Sequence, residues 1–78
     1  MEVVKRETDI VKTKVKKAYV IFNGKRYMAS DNGRETLIFR CDNDFNPIFH
    51  TEVGGAKGVK LKKVLADFEG YLWPKFLR

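Results

Sequence analysis

Residues 17–30 carry the clearest pattern in the chain, because two runs of β-forming residues flank the dipeptide Asn23-Gly24. An Asn-Gly pair suits a two-residue type I′ turn, in which both residues need positive φ. The hairpin that this turn closes has one largely apolar face and one face of mixed apolar and polar side chains. The expected pairs are Phe22 with Lys25, Val20 with Tyr27 and Ala18 with Ala29. The opposite face is expected to carry Tyr19, Ile21, Arg26 and Met28.

Upstream of this hairpin, lysines alternate with Val and Thr, which is the period of a half-buried strand. We therefore expect one strand from Asp9 to Phe22, with a bulge or bend at Lys16-Lys17, where the alternation breaks. Residues 1–8 are polar apart from one Val-Val pair. They are predicted to form a flexible arm or a short edge strand.

A second hairpin is predicted downstream, from the alternation in the segment ETLIFRCD. It places Leu37, Phe39 and Cys41 on one face of the strand. The polar loop DNDFN follows, and Pro47 is expected at the start of the returning strand. That strand is predicted to end at the glycine-rich stretch GGAKG, residues 54–58.

After Gly58 the apolar period changes from 2 to 3.6, which predicts a helix running to Gly70 or Trp73 before Pro74 ends it. Its apolar stripe is Leu61, Val64, Leu65, Phe68 and Leu72. Together the elements predict an α+β fold. A four-stranded antiparallel sheet, made of two consecutive hairpins, packs one face against one C-terminal helix. With 78 residues, the chain is expected to be a single small domain, 1–78.

Composition supports a compact globule, because 44% of the residues are hydrophobic and 13% are aromatic. No apolar run is long enough to cross a bilayer, so no membrane partner is expected. Cys41 is the only cysteine, which rules out an internal disulfide. A lone thiol is typical of a reducing compartment, and we expect a cytoplasmic location.

The net charge of +6 is distributed unevenly along the chain. Residues 1–29 hold eight basic and three acidic side chains, residues 30–53 hold two and five, and residues 54–78 hold six and two. This basic, acidic, basic order indicates an anionic partner at one surface. The alternative is a surface whose charge keeps the protein in solution.

Catalytic and metal chemistry find little support in the sequence. One serine, Ser30, and one histidine, His50, stand without a nucleophile motif, and Cys41 falls in an apolar alternation, where it acts as a small hydrophobe. The loop residues Asp42 and Asp44 copy the spacing of calcium ligands, but the required glycine and glutamate are missing. We interpret that loop as turn chemistry. No enzyme activity, metal or cofactor is expected.

The predicted helix begins without a Ser, Thr, Asp or Asn cap, and lysines crowd its first turns. The free amides make that end electropositive, so each lysine is expected to cost roughly a few tenths of a kcal/mol. A bound phosphate would satisfy the amides and offset the charge. The alternative is a solvated basic face. The candidate phosphate contacts, in one row at i, i+3 spacing, are Lys57, Lys60 and Lys63.

A second basic cluster follows the first strand and the hairpin. Tyr19 and Tyr27 lie among these cations and could stack on single-stranded bases. The alternative places the tyrosines in the core and gives the lysines the role of protecting a sheet edge. The candidate phosphate contacts here are Lys12, Lys14, Lys16, Lys17, Lys25 and Arg26.

The segment YLWPKFLR, residues 71–78, is rich in aromatic and aliphatic side chains. It either packs back on the sheet or contacts a partner. The candidate protein contacts are Tyr71, Trp73 and Phe76.

The charge layout favours a non-enzymatic module that contacts DNA or RNA phosphates with low sequence specificity. In size, charge and element order the chain resembles small basic DNA-binding proteins that pair a compact sheet with a C-terminal helix, and this resemblance implies a nucleic-acid partner. The alternative is a small protein-binding inhibitor or accessory factor, of the kind that phages and mobile elements encode. It would act through the apolar C-terminal segment or a sheet edge, and homodimerisation through either is included.

Overall fold

The computed structural model describes residues 1–9 and 15–76. Five antiparallel strands form one sheet, and neighbours in the sheet are neighbours in the chain. A short helix and two 3-10 turns follow the last strand. The bounds are β1 (Glu2–Asp9), β2 (Val15–Phe22), β3 (Lys25–Asp31), β4 (Glu35–Cys41), β5 (Pro47–Lys57) and α1 (Leu61–Ala66), then the 3-10 turns Glu69–Tyr71 and Pro74–Phe76.

The central hairpin, β2 and β3, has the predicted turn and the predicted register. Asn23 and Gly24 both have positive φ, 51° and 75°, as a two-residue turn of this kind requires. The three predicted pairs, from Phe22–Lys25 inward, are all present. The pairing runs without interruption through Lys16 and Lys17, so the expected bulge at these lysines is wrong.

The sheet has five strands rather than the four predicted. Residues 2–9 form β1, which lies antiparallel to β2 along its whole length, with one irregularity between Val3 and Lys5. Asp9 therefore ends one strand and Val15 begins the next, whereas the sequence pattern predicted a single strand through both. The alternating lysines indicated the two-residue period of a strand, but this period does not indicate where one strand ends and the next begins. Lys12 and Lys14 lie outside the described residues.

The second hairpin forms as predicted, with Phe39 and Cys41 buried on one face of β4. Its loop is held by Asp42, whose Oδ1 accepts the N–H groups of Asp44 and Asn46, each at 2.9 Å. These bonds confirm the interpretation of the loop as turn chemistry. Chiefly because of the bond from the Asn46 N–H, the pKa of Asp42 lies below its usual value.

Strand β5 continues to Lys57, whereas the sequence predicted that it would end at Gly54. Gly54 and Gly55 pair with β4, and the outer side of Gly54 receives the chain segment after the helix. A Cβ on Gly54 would overlap the Tyr71 carbonyl oxygen and lie 2.9 Å from the Leu72 Cα. The glycine thus permits close backbone approach instead of ending the strand.

The helix is shorter than predicted. It covers only Leu61–Ala66, and Asp67 leaves the helical conformation with φ −142° and ψ 60°. A 3-10 turn then carries the chain to Leu72. The predicted apolar stripe is nevertheless buried throughout, from Leu61 to Leu72. In the part of the chain described, no helix has the length and apolar character needed to cross a membrane.

The sheet buries side chains on both faces. The helix face, which packs against α1 and the following turn, includes Ala18, Val20, Tyr27, Ala29 and Ile38. The loop face, on the opposite side, includes Tyr19, Met28, Leu37, Phe39 and Cys41. The ring of Phe45, from the β4–β5 loop, packs against the residues of the loop face and makes an edge contact with Tyr19 at 6.2 Å between centroids.

Candidate nucleic-acid interface

A groove of about 780 Å³ lies at one end of the sheet. The end of β1, the start of β2, the turn between β3 and β4 and the segment from Gly58 to Lys62 surround it. Antiparallel pairing brings these chain ends together, since β1 and β3 finish where β2 and β4 begin. We call it the basic groove, and its charged lining residues are Arg6, Lys16, Lys17, Arg34, Lys60, Lys62, Glu7 and Asp31.

One wall of the groove is the turn between β3 and β4, which side-chain carboxylate and amide oxygens hold in shape. Asp31 Oδ1 accepts the Gly33 N–H at 2.8 Å. Asn32 Oδ1 accepts the N–H groups of Arg34 and Glu35 at 2.9 and 3.0 Å. Asp and Asn favour such turns because their short side chains reach backbone amides two or three residues ahead. The backbone that carries the Arg34 side chain is therefore fixed.

The start of α1 is attached to the same turn. Leu61 N–H donates to Asp31 Oδ2 at 3.1 Å, across thirty residues of sequence. The buried Thr36 hydroxyl donates to the Val59 carbonyl at 2.7 Å, and Gly58 N–H donates to the Arg34 carbonyl at 2.8 Å. These three bonds hold the segment that carries Lys60 and Lys62 against the sheet.

Asp31 changes the interpretation of the helix start. Lys60, at the N-cap position, supplies no capping side chain, as the sequence indicated. The Leu61 amide is nevertheless satisfied by the protein's own carboxylate from β3. With six residues, α1 also has a small dipole, so the helix start by itself offers no anion site. The candidate site is instead the groove beside it.

The electrostatics of the groove are strongly positive. Its lining includes six basic and two acidic residues, but Glu7 and Lys17 pair across β1 and β2 with their side chains on the loop face, so the groove has five cationic side chains and the carboxylate of Asp31. The Asp31 carboxylate is engaged, because it accepts two backbone N–H groups. Among the residues that the structure describes, none of the five groove cations forms an ion pair. Their mutual repulsion favours a bound polyanion.

Only some of the predicted phosphate contacts lie at the groove. Lys16 and Lys60 line the groove, whereas Lys17 borders it with its side chain on the loop face. Lys57 ends β5 and Lys63 lies on α1, so the expected helical row of three lysines does not exist. Neither of the two belongs to the groove lining.

The remaining predicted cations, Lys25 and Arg26, lie beside the Asn23-Gly24 turn at the other end of the sheet. Lys25 pairs with Phe22, six positions from Lys16 along β2, which corresponds to about 20 Å. The Arg26 guanidinium lies over the Phe45 ring, 5.4 Å from its centroid. This contact gives Arg26 a structural partner.

Neither tyrosine that was predicted to stack on bases lines the groove. Tyr27 is 3% exposed and packs on Phe68 within the helix-face core, so its ring is not available to a ligand. Tyr19 lies on the opposite face of the sheet. Burial, followed by the nearby Glu7 carboxylate, raises the pKa of Tyr19. No aromatic residue is among the described groove residues.

Two arginines of the groove were missed by sequence reasoning. Arg6 belongs to β1, which the sequence predicted as either a flexible arm or a short edge strand, and Arg34 stands in the turn segment SDNGRE. A turn segment does not indicate what its side chains face in the folded protein. Proximity in the folded sheet, rather than spacing in the sequence, unites these residues.

Residues 71–73 of the C-terminal segment pack back onto the sheet. Leu72 is buried, Tyr71 packs against the helix-face core, and Trp73 N–H donates to the Val53 carbonyl at 2.9 Å. Trp73 keeps 38% of its surface exposed. The side chain of Phe76 lies outside the described residues. Of the predicted protein contacts, Tyr71 is thus used by the fold.

The Cys41 thiol and the arrangement of the possible metal ligands bear on catalytic and metal chemistry. Cys41 is buried on the loop face, and burial raises its pKa to about 11, so the reactive thiolate is scarce at neutral pH. In residues 1–9 and 15–76, no three His, Cys, Asp or Glu side chains are grouped as metal ligands would be.

Comparison with known proteins gives no family for this chain. No protein-family model matches it, and neither curated proteins nor solved structures show significant similarity. The basic groove is therefore the feature that bears on the function.

Proposed function

We propose that the protein is a non-enzymatic binding module that holds nucleic-acid phosphates in the basic groove. The observation that carries the proposal is the charge of the groove, five cationic side chains against the one engaged carboxylate of Asp31. Cations that neutralise phosphates release condensed counterions, which drives binding without reading the sequence. The groove cations come from β1, β2, the β3–β4 turn and the start of α1, and strand pairing or hydrogen bonds between side chains and the backbone order each of these elements.

The lining also bears on the form of the nucleic acid. Base stacking needs exposed rings, and the described groove residues include none. Without stacking, affinity depends on phosphate density, which is higher along a duplex than along a single strand. We therefore propose a sugar-phosphate backbone as the ligand, with duplex DNA or RNA bound at least as tightly as single strands and with low sequence specificity.

Salt dependence measures the proposed contacts directly. Binding of a labelled duplex, followed by fluorescence anisotropy, should weaken as salt rises, with a log–log slope of roughly −4 to −5 if four to six phosphates are contacted. A slope near zero between low and physiological salt would refute the proposal. Single strands of the same sequence, measured in parallel, report whether stacking contributes.

Two charge-matched variants locate the contact. Arg34→Glu/Lys60→Glu reverses two groove cations, while Lys25→Glu/Lys63→Glu makes the same change in charge at two positions outside the groove lining. All four side chains are exposed, so both variants should fold. We expect the groove variant to lose about a hundredfold in affinity and about two units of salt slope, and the control to lose less than about fivefold. Equal losses would mean that net charge alone attracts the duplex.

A second candidate is a small protein-binding inhibitor or accessory factor. The exposed ring of Phe49, 62% accessible beside Phe39, supports it more than the C-terminal segment, in which Leu72 is buried and Tyr71 packs against the helix-face core. Capture on the immobilised protein from nuclease-treated lysate distinguishes the two candidates. A protein retained by the unaltered chain but not by Phe49→Ser would favour this second function over nucleic-acid binding.

A further inference from the structure

The two edges of the sheet differ in what covers them. On the outer side of β5, Leu72 bridges to Gly54 and Trp73 N–H donates to the Val53 carbonyl. On the outer side of β1, no strand is paired among residues 1–9 and 15–76. The described side chains of β1 are exposed, apart from half-buried Val3. An uncovered strand presents N–H and C=O groups in the order that another strand needs.

We propose that β1 pairs antiparallel with β1 of a second copy of this chain, in the register that places Lys5 opposite Glu7 of the other copy. Two-fold symmetry then makes this contact twice, and because Lys5 Nζ already lies 3.2 Å from Glu7 Oε1 within each copy, the four side chains form one network of alternating charge. Lys5 pairs with Tyr19 and Glu7 with Lys17 within one copy, so both side chains lie on the loop face, where the new pairs also form. Two-fold symmetry allows only even shifts of this register, and a shift of two residues would replace both Lys5–Glu7 pairs by Lys5 opposite Lys5 or Glu7 opposite Glu7, which is unfavourable between like charges.

The pairing also joins two grooves, and this part of the inference rests on the proposed function. Arg6, on the helix face, lies on the two-fold axis beside Arg6 of the second copy. Because α1 packs over β2 and β3, it leaves the β1 edge accessible. The axis is perpendicular to the sheet, so both helix faces point the same way and the grooves adjoin. A phosphate backbone lying across the axis would offset the repulsion between the two arginines. Duplex binding and dimer formation should therefore favour each other.

Sedimentation equilibrium of the full chain without nucleic acid tests the pairing. The unaltered protein should associate reversibly to a dimer at concentrations up to about 0.5 mM. Lys5→Glu and Glu7→Lys each convert attraction into repulsion at two places, and each should weaken the dimer about tenfold or more. Circular dichroism of each variant verifies folding.

Mixing the two variants provides the decisive measurement. The Lys5→Glu chain has a carboxylate at both positions of the pair, and the Glu7→Lys chain has an ammonium group at both. In a mixture these opposite charges face each other, so a heterodimer should form although neither variant dimerises well alone. The double exchange Lys5→Glu/Glu7→Lys should restore the homodimer. A monomeric unaltered protein, or variants whose mixture gains nothing, would overturn this pairing. Neither result would touch the proposed function, because duplex binding by the groove is measured separately.

Discussion

The two faces of the sheet are covered in different ways. The helix face packs against α1 and the turn after it, and its core includes Val20, Ile38 and Val64, all inaccessible to solvent. Among the described residues no helix packs on the loop face, and Met28 is buried there in a cluster against which the ring of Phe45 packs. The helix face therefore carries most of the apolar burial that stabilises the fold. It also carries one wall of the groove, since the segment leading into α1 is attached there.

The largest effect should come from the helix face. Phe68 is 3% exposed and contacts the rings of Phe22 and Tyr27, each 5.5 Å away between centroids. Phe68→Ala should lower the free energy of unfolding by about 3–5 kcal/mol, because it removes a buried ring and leaves a cavity. Urea denaturation followed by circular dichroism measures this loss. A loss below about 1 kcal/mol would show that the segment after α1 is not needed to cover the sheet.

Asp31 joins the helix face to the groove and should give the next largest effect. Asp31→Ala removes one helix-capping acceptor and one turn acceptor, and should cost about 2 kcal/mol in unfolding free energy. Asp31→Asn retains one acceptor oxygen, so its cost should be smaller. The same variant also removes a negative charge from the groove, and duplex affinity should rise about twofold or more. Weaker binding by a folded Asn variant would contradict the location of the ligand.

The loop face should tolerate more change. Phe45→Ala removes a half-buried ring that contacts Tyr19 and over which the Arg26 guanidinium lies. We expect a loss of about 1–2 kcal/mol in unfolding free energy, from lost burial and the edge contact between rings. Duplex affinity should be unchanged, since Phe45 does not line the groove. A parallel loss of affinity would show that the two faces are coupled.

Chemical labelling of the Cys41 thiol measures how well the loop face is shielded, and it needs no substitution that changes stability. Its pKa in the folded protein is about 11, against an ordinary value of 9.0, because burial disfavours the thiolate. At pH 8 the thiolate population is about a hundredfold smaller than in the unfolded chain, so labelling by a thiol reagent should be slower by at least that factor. The rate should rise as pH increases toward 11. Phe45→Ala should accelerate labelling, whereas a rate unaffected by that variant would mean that the ring does not shield Cys41.

Local sequence signals predicted those features that neighbouring residues determine. The Asn23-Gly24 turn needs only two residues with positive φ, and its register follows directly. The Asp42 turn likewise closes within five residues. The apolar stripe identified the buried residues from Leu61 to Leu72 correctly even though the helix stops at Ala66, because a 3-10 turn keeps Phe68 and Leu72 directed at the sheet.

Features that depend on distant contacts were missed. Gly54 looked like a strand end, but it continues β5 because the backbone of Tyr71 and Leu72 lies against it. The start of α1 looked uncapped, but its acceptor comes from Asp31, thirty residues earlier. Neither partner can be identified from residues nearby in sequence.

By itself the sequence determined an antiparallel hairpin sheet, an amphipathic segment to cover it and a strongly basic surface, because alternation, turn residues and charge are local properties. Only the tertiary structure decided which cations share a surface. It gathered Arg6, Lys16, Arg34 and Lys60 in one groove and placed Lys25 at the other end of the sheet. The physical reason is strand pairing. It brings together residues that are far apart in sequence, and it places residues near the two ends of one strand at opposite ends of the sheet.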